Sequence, residues 1–384
     1  MFNLSAFSSR RVAWLKQNPY YQAFCGELAF QITKPCDASE LTYVRQRIGA
    51  EGCEKILAVT VGLHGEYALE DEVCIDTTVQ EKSVTFPTDD KQYFKVIEQS
   101  NKLAERFGVK QRCVFKKEIK DLKLQLRFRS HPKNKKKARK AQKRLKTIAG
   151  FLVRELERKL PEKVLQQYNQ RFEFYHRIVE QKRRDKNKIY SLHEPHIYCM
   201  SKGKPHKKYE FGTKVSITKG KDSQVILGAM AFDTNLHDSK TLEPPLEQVE
   251  RIAKHRPKVA LCDRGYRGKS KVEGTRIITP KSPGKKATPA QKEKASERFR
   301  KRAGIEPIIG HLKTEHRLGR NFLKGFDGDQ INLLMAAAAF NQHLWLRAIL
   351  FALFKFCFLG LNVYKYRPIV AARRKLYFRW LGLK

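Results

Sequence analysis

Between residues 71 and 86 the chain alternates Val73, Ile75, Thr77 and Val79 with Cys74, Asp76, Thr78 and Gln80. A period of two, rich in β-branched residues, fits a pleated strand and not a helix. Comparable strand language returns at residues 209–218, where Phe211, Thr213, Val215 and Ile217 share a face, and at 225–232. Everything between the first strand and the second has a helical rhythm. The chain must therefore build a sheet whose first strand is separated from its neighbours by a long helical insertion.

The insertion, about residues 91–188, reads as three helices. Tyr93, Val96, Ile97, Leu103, Ala104 and Phe107 mark the first, with Gly108 as its C-cap. Ile148, Leu152 and Leu156 mark the second, and Pro161 opens a third carrying Val164, Leu165, Tyr168, Phe172, Tyr175, Ile178 and Val179. After the second and third strands, which are joined by a turn at 219–222, Asp238 or Ser239 caps a helix running to Lys254. A short apolar strand, Val259, Ala260, Leu261 and Cys262, ends in Asp263, and the glycine-bearing Arg264, Gly265, Tyr266, Arg267, Gly268 turns the chain. One more strand at 275–279 and a loop at 280–289 lead into a helix with Glu306. With the insertion deleted, this is the strand and helix order of the RNase H fold. The expected class is α/β: an RNase H-like core with a mixed sheet at 70–343, interrupted after its first strand. Leu41, Val44, Ile48, Ile56 and Leu57 give residues 1–69 a helical rhythm, read as a small N-terminal domain. An aromatic and basic tail, 344–384, completes the division.

Charge narrows the partner. Seventy-nine Lys and Arg against thirty-nine Asp and Glu leave a formal net charge of +40, which repels itself unless a polyanion neutralises it. Nucleic acid fits best, and an anionic membrane surface is the weaker alternative. The 41% hydrophobic content is enough for a real core and excludes a disordered basic tail. Residues 133–146 concentrate the charge: Lys133, Lys135, Lys136, Lys137, Arg139, Lys140, Lys143 and Arg144, with Ala138, Ala141 and Leu145 interleaved. Such a helix suits a phosphate backbone. Eight scattered cysteines, without a CxxC pair, read as thiols of a reducing cytoplasm. The first sixteen residues lack the apolar core of a secretory signal. Residues 344–363 are apolar, yet Arg347 and Lys355 lie inside them. Charges at mid-span are costly in lipid, so no membrane partner is expected.

Three acids arrive from separate elements: Asp76 in mid-strand, Asp263 at a strand end, Glu306 on a helix. Phosphodiester cleavage is slow because anionic oxygens repel a nucleophile and the departing alkoxide needs stabilisation. A pair of hard divalent cations meets both needs, and such cations take carboxylate oxygens. Mg²⁺ is implied, as two ions, with Mn²⁺ as a substitute; zinc is not. At ~100° per residue Phe299, Arg302 and Lys313 fall within about 40° of Glu306 on a single helix. Arg302 and Lys313 would then grip phosphate. Pro307 strains this picture, since it cannot donate to an upstream carbonyl and should kink or restart the helix. Glu315 is a rival acid on the opposite side, and Asp233 and Asp238 are alternatives for the second position. His193, His196 and His206 match no metal-ligand spacing. Arg264, beside Asp263, is a further candidate substrate contact, ahead of Arg267.

On these residues the chain resembles a DDE transposase of the insertion sequence 5 group, related to the insertion sequence 4 group, over roughly residues 41–341. The stretches are VCIDTTVQEKSVTFPTD, YSLHEPHIYCMSKGKPHKKYEFGTKVSI, ALCDRGYRG, and RKRAGIEPIIGHLKTEHRLGRNFLKG followed by GDQINLLMAAAAFN. In that wider set the third acid's helix carries Tyr, two residues, Arg, three residues, Glu, six residues, Lys. Arg302, Glu306 and Lys313 match, and Phe299 stands where the phenol is expected. A phenyl ring cannot donate to phosphate. The resemblance implies Asp76, Asp263 and Glu306 as metal ligands and catalytic acids. It implies binding of terminal inverted repeats, cleavage to 3′-hydroxyls and joining to target DNA by transesterification. Partners would be double-stranded DNA, at the element ends and the target, and a second copy of the chain, in a prokaryotic cytoplasm at the nucleoid. The competing readings are a domesticated or inactive DNA-binding protein and an RNase H-like repair or recombination nuclease without preference for element ends.

Overall fold

A computed structural model describes residues 16–33, 36, 37, 39–182, 185, 187–201, 208–280 and 288–360. In chain order these form α1 (Pro19–Phe24), α2 (Glu40–Gly62), β1 (Glu72–Glu81), α3 (Asp89–Arg106), α4 (Lys116–Arg127), α5 (Lys135–Lys159), α6 (Glu162–Glu180), β2 (Tyr198–Ser201), β3 (Tyr209–Gly220), β4 (Ile226–Phe232), α7 (Glu243–Ala253), β5 (Val259–Leu261), β6 (Lys271–Val272), β7 (Thr275–Ile278), α8 (Pro289–Ala303), α9 (Ile305–Thr314) and α10 (Gly325–Gly360), with short 3₁₀ turns between them. The chain divides into two units: Met1–Lys82 with Thr213–Lys384, and Ser83–Gly212.

The first unit holds the sheet. Among its described residues the strand order is β4-β3-β1-β5-β7-β6. β1 runs parallel to β5 and β5 parallel to β7, while β3 and β4 form an antiparallel hairpin. The architecture is mixed α/β and RNase H-like, as the element order predicts. β1 is central and covered on both faces. Val73 and Ile75 belong to one apolar core with α2, α7 and α10, whereas Cys74 packs against Leu261 and Ile305 on the other face. Its burial is therefore nearly continuous, broken at Asp76 and Thr77.

Residues 40–62, expected within a separate N-terminal domain, have no core of their own. Cys53, Leu57 and Val61 of α2 join the sheet's main core, and α2 packs on α10 and α7. Helical rhythm identifies an apolar face and leaves open which partner covers it.

α10 fastens the sheet through polar groups. Asp329 is buried and accepts from Lys82 Nζ at 2.6 Å and Thr213 Oγ1 at 2.6 Å, and from Asn321 Nδ2 at 2.5 Å. β4, the sheet's edge on this side, is satisfied by side-chain amides in place of another strand. Asn341 accepts from Ile226 N–H at 2.8 Å and donates to its carbonyl at 2.9 Å, and Gln330 does the same across Ala231 and Ala229. The edge's unpaired backbone groups are thus capped. Farther along, Leu346, Leu350, Phe351, Leu353 and Phe354 are exposed. By length and composition alone, α10 could cross a membrane, although 44% of its apolar window is buried in the protein.

The second unit has its own core, formed by α3, α4, α5 and α6. In α5, Ala138, Ala141, Leu145, Ile148, Leu152 and Leu156 are buried at helical spacing. The opposite face carries the basic residues. Pro161 caps α6, where its missing N–H costs nothing.

Candidate active site

The parallel register of β1 and β5 brings the first two acids together. Cys74 lies opposite Leu261, and two residues farther along each strand come Asp76 and Asp263. Asp263 caps the following 3₁₀ turn, its Oδ1 accepting from Gly265 N–H at 2.7 Å. The capping reading and the site reading are thus compatible, because the second carboxylate oxygen faces elsewhere. Gly265 is required for close approach: a Cβ there would lie 2.9 Å from Asp238 Oδ2 and 3.0 Å from Asp263 Oδ1.

The third acid arrives differently from the single-helix expectation. The helix breaks at Gly304, which is both the C-cap of α8 and the N-cap of α9. Glu306 and Pro307 fall in the first turn of α9, where a proline forfeits no intrahelical bond. Phe299 and Arg302 therefore belong to α8, and Glu306 and Lys313 to α9. Ile305, packed on Cys74 and Leu261, seats the start of α9 beside the two strands. Glu315 closes the far end of α9 as its C-cap.

Arg302 joins the set. Its Nη2 is 3.0 Å from Asp76 Oδ2 and 3.9 Å from Asp263 Oδ2, and its Nη1 is 3.4 Å from Glu306 Oε1. One guanidinium thus contacts carboxylates from β1, the end of β5 and α9. Arg302 and Asp76 side chains are each 14% exposed, Asp263 40% and Glu306 66%. The cluster is closed below and open above. Three carboxylates in such proximity require a positive charge, and all the donors are hard oxygens. Such oxygens are the ligands that hard divalent cations take.

Spacing alone missed the underside of this cluster. Thr77 Oγ1 donates to Asp238 Oδ1 at 2.9 Å, and Lys214 Nζ lies 2.8 Å from the same oxygen. Burial pushes the Asp238 carboxyl up, but the Lys214 ammonium, the Thr77 hydroxyl and His237 together more than offset it and hold the carboxyl below its ordinary range. Asp238 is thus a fourth acid beside the cluster, held by a lysine. Burial, then the neighbouring Cys262, Asp76 and Asp238, drive the Tyr266 phenol well above its usual value. Burial pushes the Cys74 thiol up to about 11, so it adds no charge.

Of the other sequence candidates, Phe299 and Lys313 are half-buried and Arg264 is exposed. Lys133, Lys135, Lys136, Lys137, Arg139, Lys140, Lys143 and Arg144 are all exposed on the second unit. Arg144 is held there by Glu118 at 2.6 Å and over the Phe115 ring. His196 lies 3.8 Å from Glu194, and His206 is outside the described residues.

Sheet order and acid cluster together define an RNase H-like α/β domain. Residues 184–342 match the family described as Transposase DDE domain. The matched segment, which includes Asp263 and Glu306 while Asp76 lies ahead of it, is thus similar to a transposase DDE domain. Over 105 residues the chain is 38% identical to an uncharacterised protein of Rhizobium meliloti, ORF8 in the nfe locus. That alignment covers 25% of this chain and 49% of the relative, so the chain spans about half the relative's length. No solved structure matches.

Proposed function

We propose that the chain is an insertion-sequence transposase that binds the terminal inverted repeats of its element, cuts to 3′-hydroxyls and joins them to target DNA. The observation that carries this reading is the contact of a single guanidinium with Asp76, Asp263 and Glu306. Acids from two neighbouring strands and one helix share one point of charge compensation. Mg²⁺ held by these carboxylates would polarise the scissile phosphate and stabilise the departing oxygen. Arg302, already positioned among the acids, offers its fork to non-bridging phosphate oxygens, and Lys313 serves as a point charge. Asp238, fixed by Lys214 and Thr77, supports the floor on which Asp263 turns. Phe299, lacking a hydroxyl, contributes packing or stacking. In joining, a 3′-oxygen forms a bond to a target phosphorus as that phosphorus loses its bridging oxygen. The strand break is thereby exchanged with no external energy source.

Double-stranded DNA is the partner, with a second copy in the active complex because two ends are handled together. The exposed basic face of α5 is the proposed phosphate-tracking surface, and a cytoplasmic, nucleoid-associated location follows from the same reading. The test is Mg²⁺-dependent nicking of duplexes carrying the sequences that flank the gene, with wild type, Asp263→Asn and Glu306→Gln. Cleavage at the element ends by wild type alone is expected. Equal cleavage by all three, or none by wild type, removes the assignment. Cleavage without preference for ends would make the chain a general nuclease.

A further inference from the structure

Below the C-terminal end of α9 lies a second group of ligands, unlike the first in chemistry. Glu315, His316 and His343 each present one ligand atom, and these atoms all lie within 4.8 Å of one another. Glu315 and His316 are adjacent at the end of α9, and His343 stands on α10. We infer that these three side chains form a binding site for a transition-metal ion of the Zn²⁺ class, joining α9 to α10.

Donor chemistry selects the ion. Two imidazole nitrogens and one carboxylate suit Zn²⁺, Co²⁺ or Fe²⁺, whereas Mg²⁺ and Ca²⁺ prefer all-oxygen sets such as the acid cluster. The two imidazoles do not stack. Their planes are 74° apart with centroids at 6.3 Å, so nitrogen-bearing edges can converge. The Phe340 ring meets His316 edge-on at 6.2 Å and limits its rotation.

The backbone fixes the pair from α9. Leu318 N–H donates to Leu312 carbonyl at 3.0 Å and Gly319 N–H to Lys313 carbonyl at 3.3 Å, closing the helix end, with Arg317 in the left-handed region at φ 65°. The carboxylate is oriented as well: His311 Nδ1 lies 2.6 Å from Glu315 Oε1. A hydrogen-bonded outer partner of this kind is what metal-ligating carboxylates require. Exposure falls from Glu315, exposed, through His343, half-buried, to His316, buried. A path from solvent therefore reaches a protected inner ligand.

The consequence concerns α9. Its first turn carries Glu306 and its last residues would carry the metal, so the ion would act as a clamp on the helix. Three ligands leave a coordination position for water.

The test uses tag-free full-length protein, stripped with chelator and titrated with ZnCl₂ and with CoCl₂, reading bound metal by elemental analysis and Co²⁺ by its visible absorption. Wild type and Asp263→Asn should each bind one tight equivalent that excess Mg²⁺ does not displace. His343→Ala and Glu315→Gln should weaken it at least tenfold, and His311→Ala less. Zn²⁺ should also raise the unfolding temperature of wild type but not of His343→Ala. No tight equivalent in wild type, or unchanged binding in both His343→Ala and Glu315→Gln, overturns the site. Loss in Asp263→Asn alone would show that the ion sits in the acid cluster. None of these readouts requires the protein to cut DNA.

Discussion

Arg302 stands where three carboxylates would otherwise face one another without a cation. Arg302→Gln should lower stability in chelator by about 2 kcal/mol, less than for a fully buried pair because Glu306 is largely exposed. Added Mg²⁺ should restore most of it by replacing the lost charge. Thermal unfolding with and without Mg²⁺ checks this, and an equal deficit in both would reduce Arg302 to a packing residue. A second residue sets a pH limit. His64 is buried and donates from Nε2 to the Asn341 carbonyl at 3.1 Å. Burial lowers its pKa, and the carbonyl only partly opposes this. The neutral ring is therefore favoured in the fold. Its contribution is complete above the ordinary histidine value of about 6.5 and is lost as pH falls from there through the folded-state value. The unfolding temperature should drop between pH 7.5 and 5.5, and less in His64→Gln; identical pH profiles would disprove it. At this scale residue type and chain order single out the three acids as candidates, and the structure brings them to one guanidinium. The bridging position of Arg302 was not, since it depends on where α8 ends relative to two strands.

The break at Gly304 shows how a local rule can be right while a periodicity is wrong. Phe299, Arg302, Glu306 and Lys313 obey one helical period, yet belong to two helices. Pro307 foretold the restart, because a proline is harmless only in a first turn. β1, β3 and β4 were readable from their strand patterning, but the short β2 and β6 were not, nor were the partners of α10: amides, a lysine and a carboxylate in the core have no periodic signature. Those partners yield a sharp expectation. Lys82 and Asp329 side chains are 3% and 0% exposed, so Asp329→Ala leaves a buried ammonium uncompensated and should cost about 3–5 kcal/mol. Asn341→Leu, which strands the Ile226 N–H and carbonyl, should cost about 1–3 kcal/mol for each group left unpaired. Chemical denaturation measures both. The double variant Lys82→Met with Asp329→Leu should recover much of the first loss; no recovery would show that the network matters beyond its charge pair.

At the scale of the whole molecule, the +40 charge calls for a polyanionic partner without fixing where it binds. Sequence reading separated an N-terminal domain from the core, whereas α2 packs into the sheet's own core; apolar rhythm cannot distinguish a face turned to a neighbour from one turned inward. The helical insertion was legible because its period differs from that of the strands around it. Its basic helix offers the clearest test of scale. Lys136, Arg139, Lys140 and Lys143 are exposed on α5, over a buried face of Ala138, Ala141 and Leu145 that keeps the helix docked. Replacing these four by Gln should leave the fold intact and weaken DNA binding across all sequences. The dependence of log affinity on log salt should flatten by about 0.9 for each phosphate that is no longer neutralised. Binding titrations at several salt concentrations decide the matter. An unchanged slope with unchanged affinity would mean that the protein grips phosphate elsewhere. A loss confined to element-end sequences would mean that α5 reads bases and not the backbone.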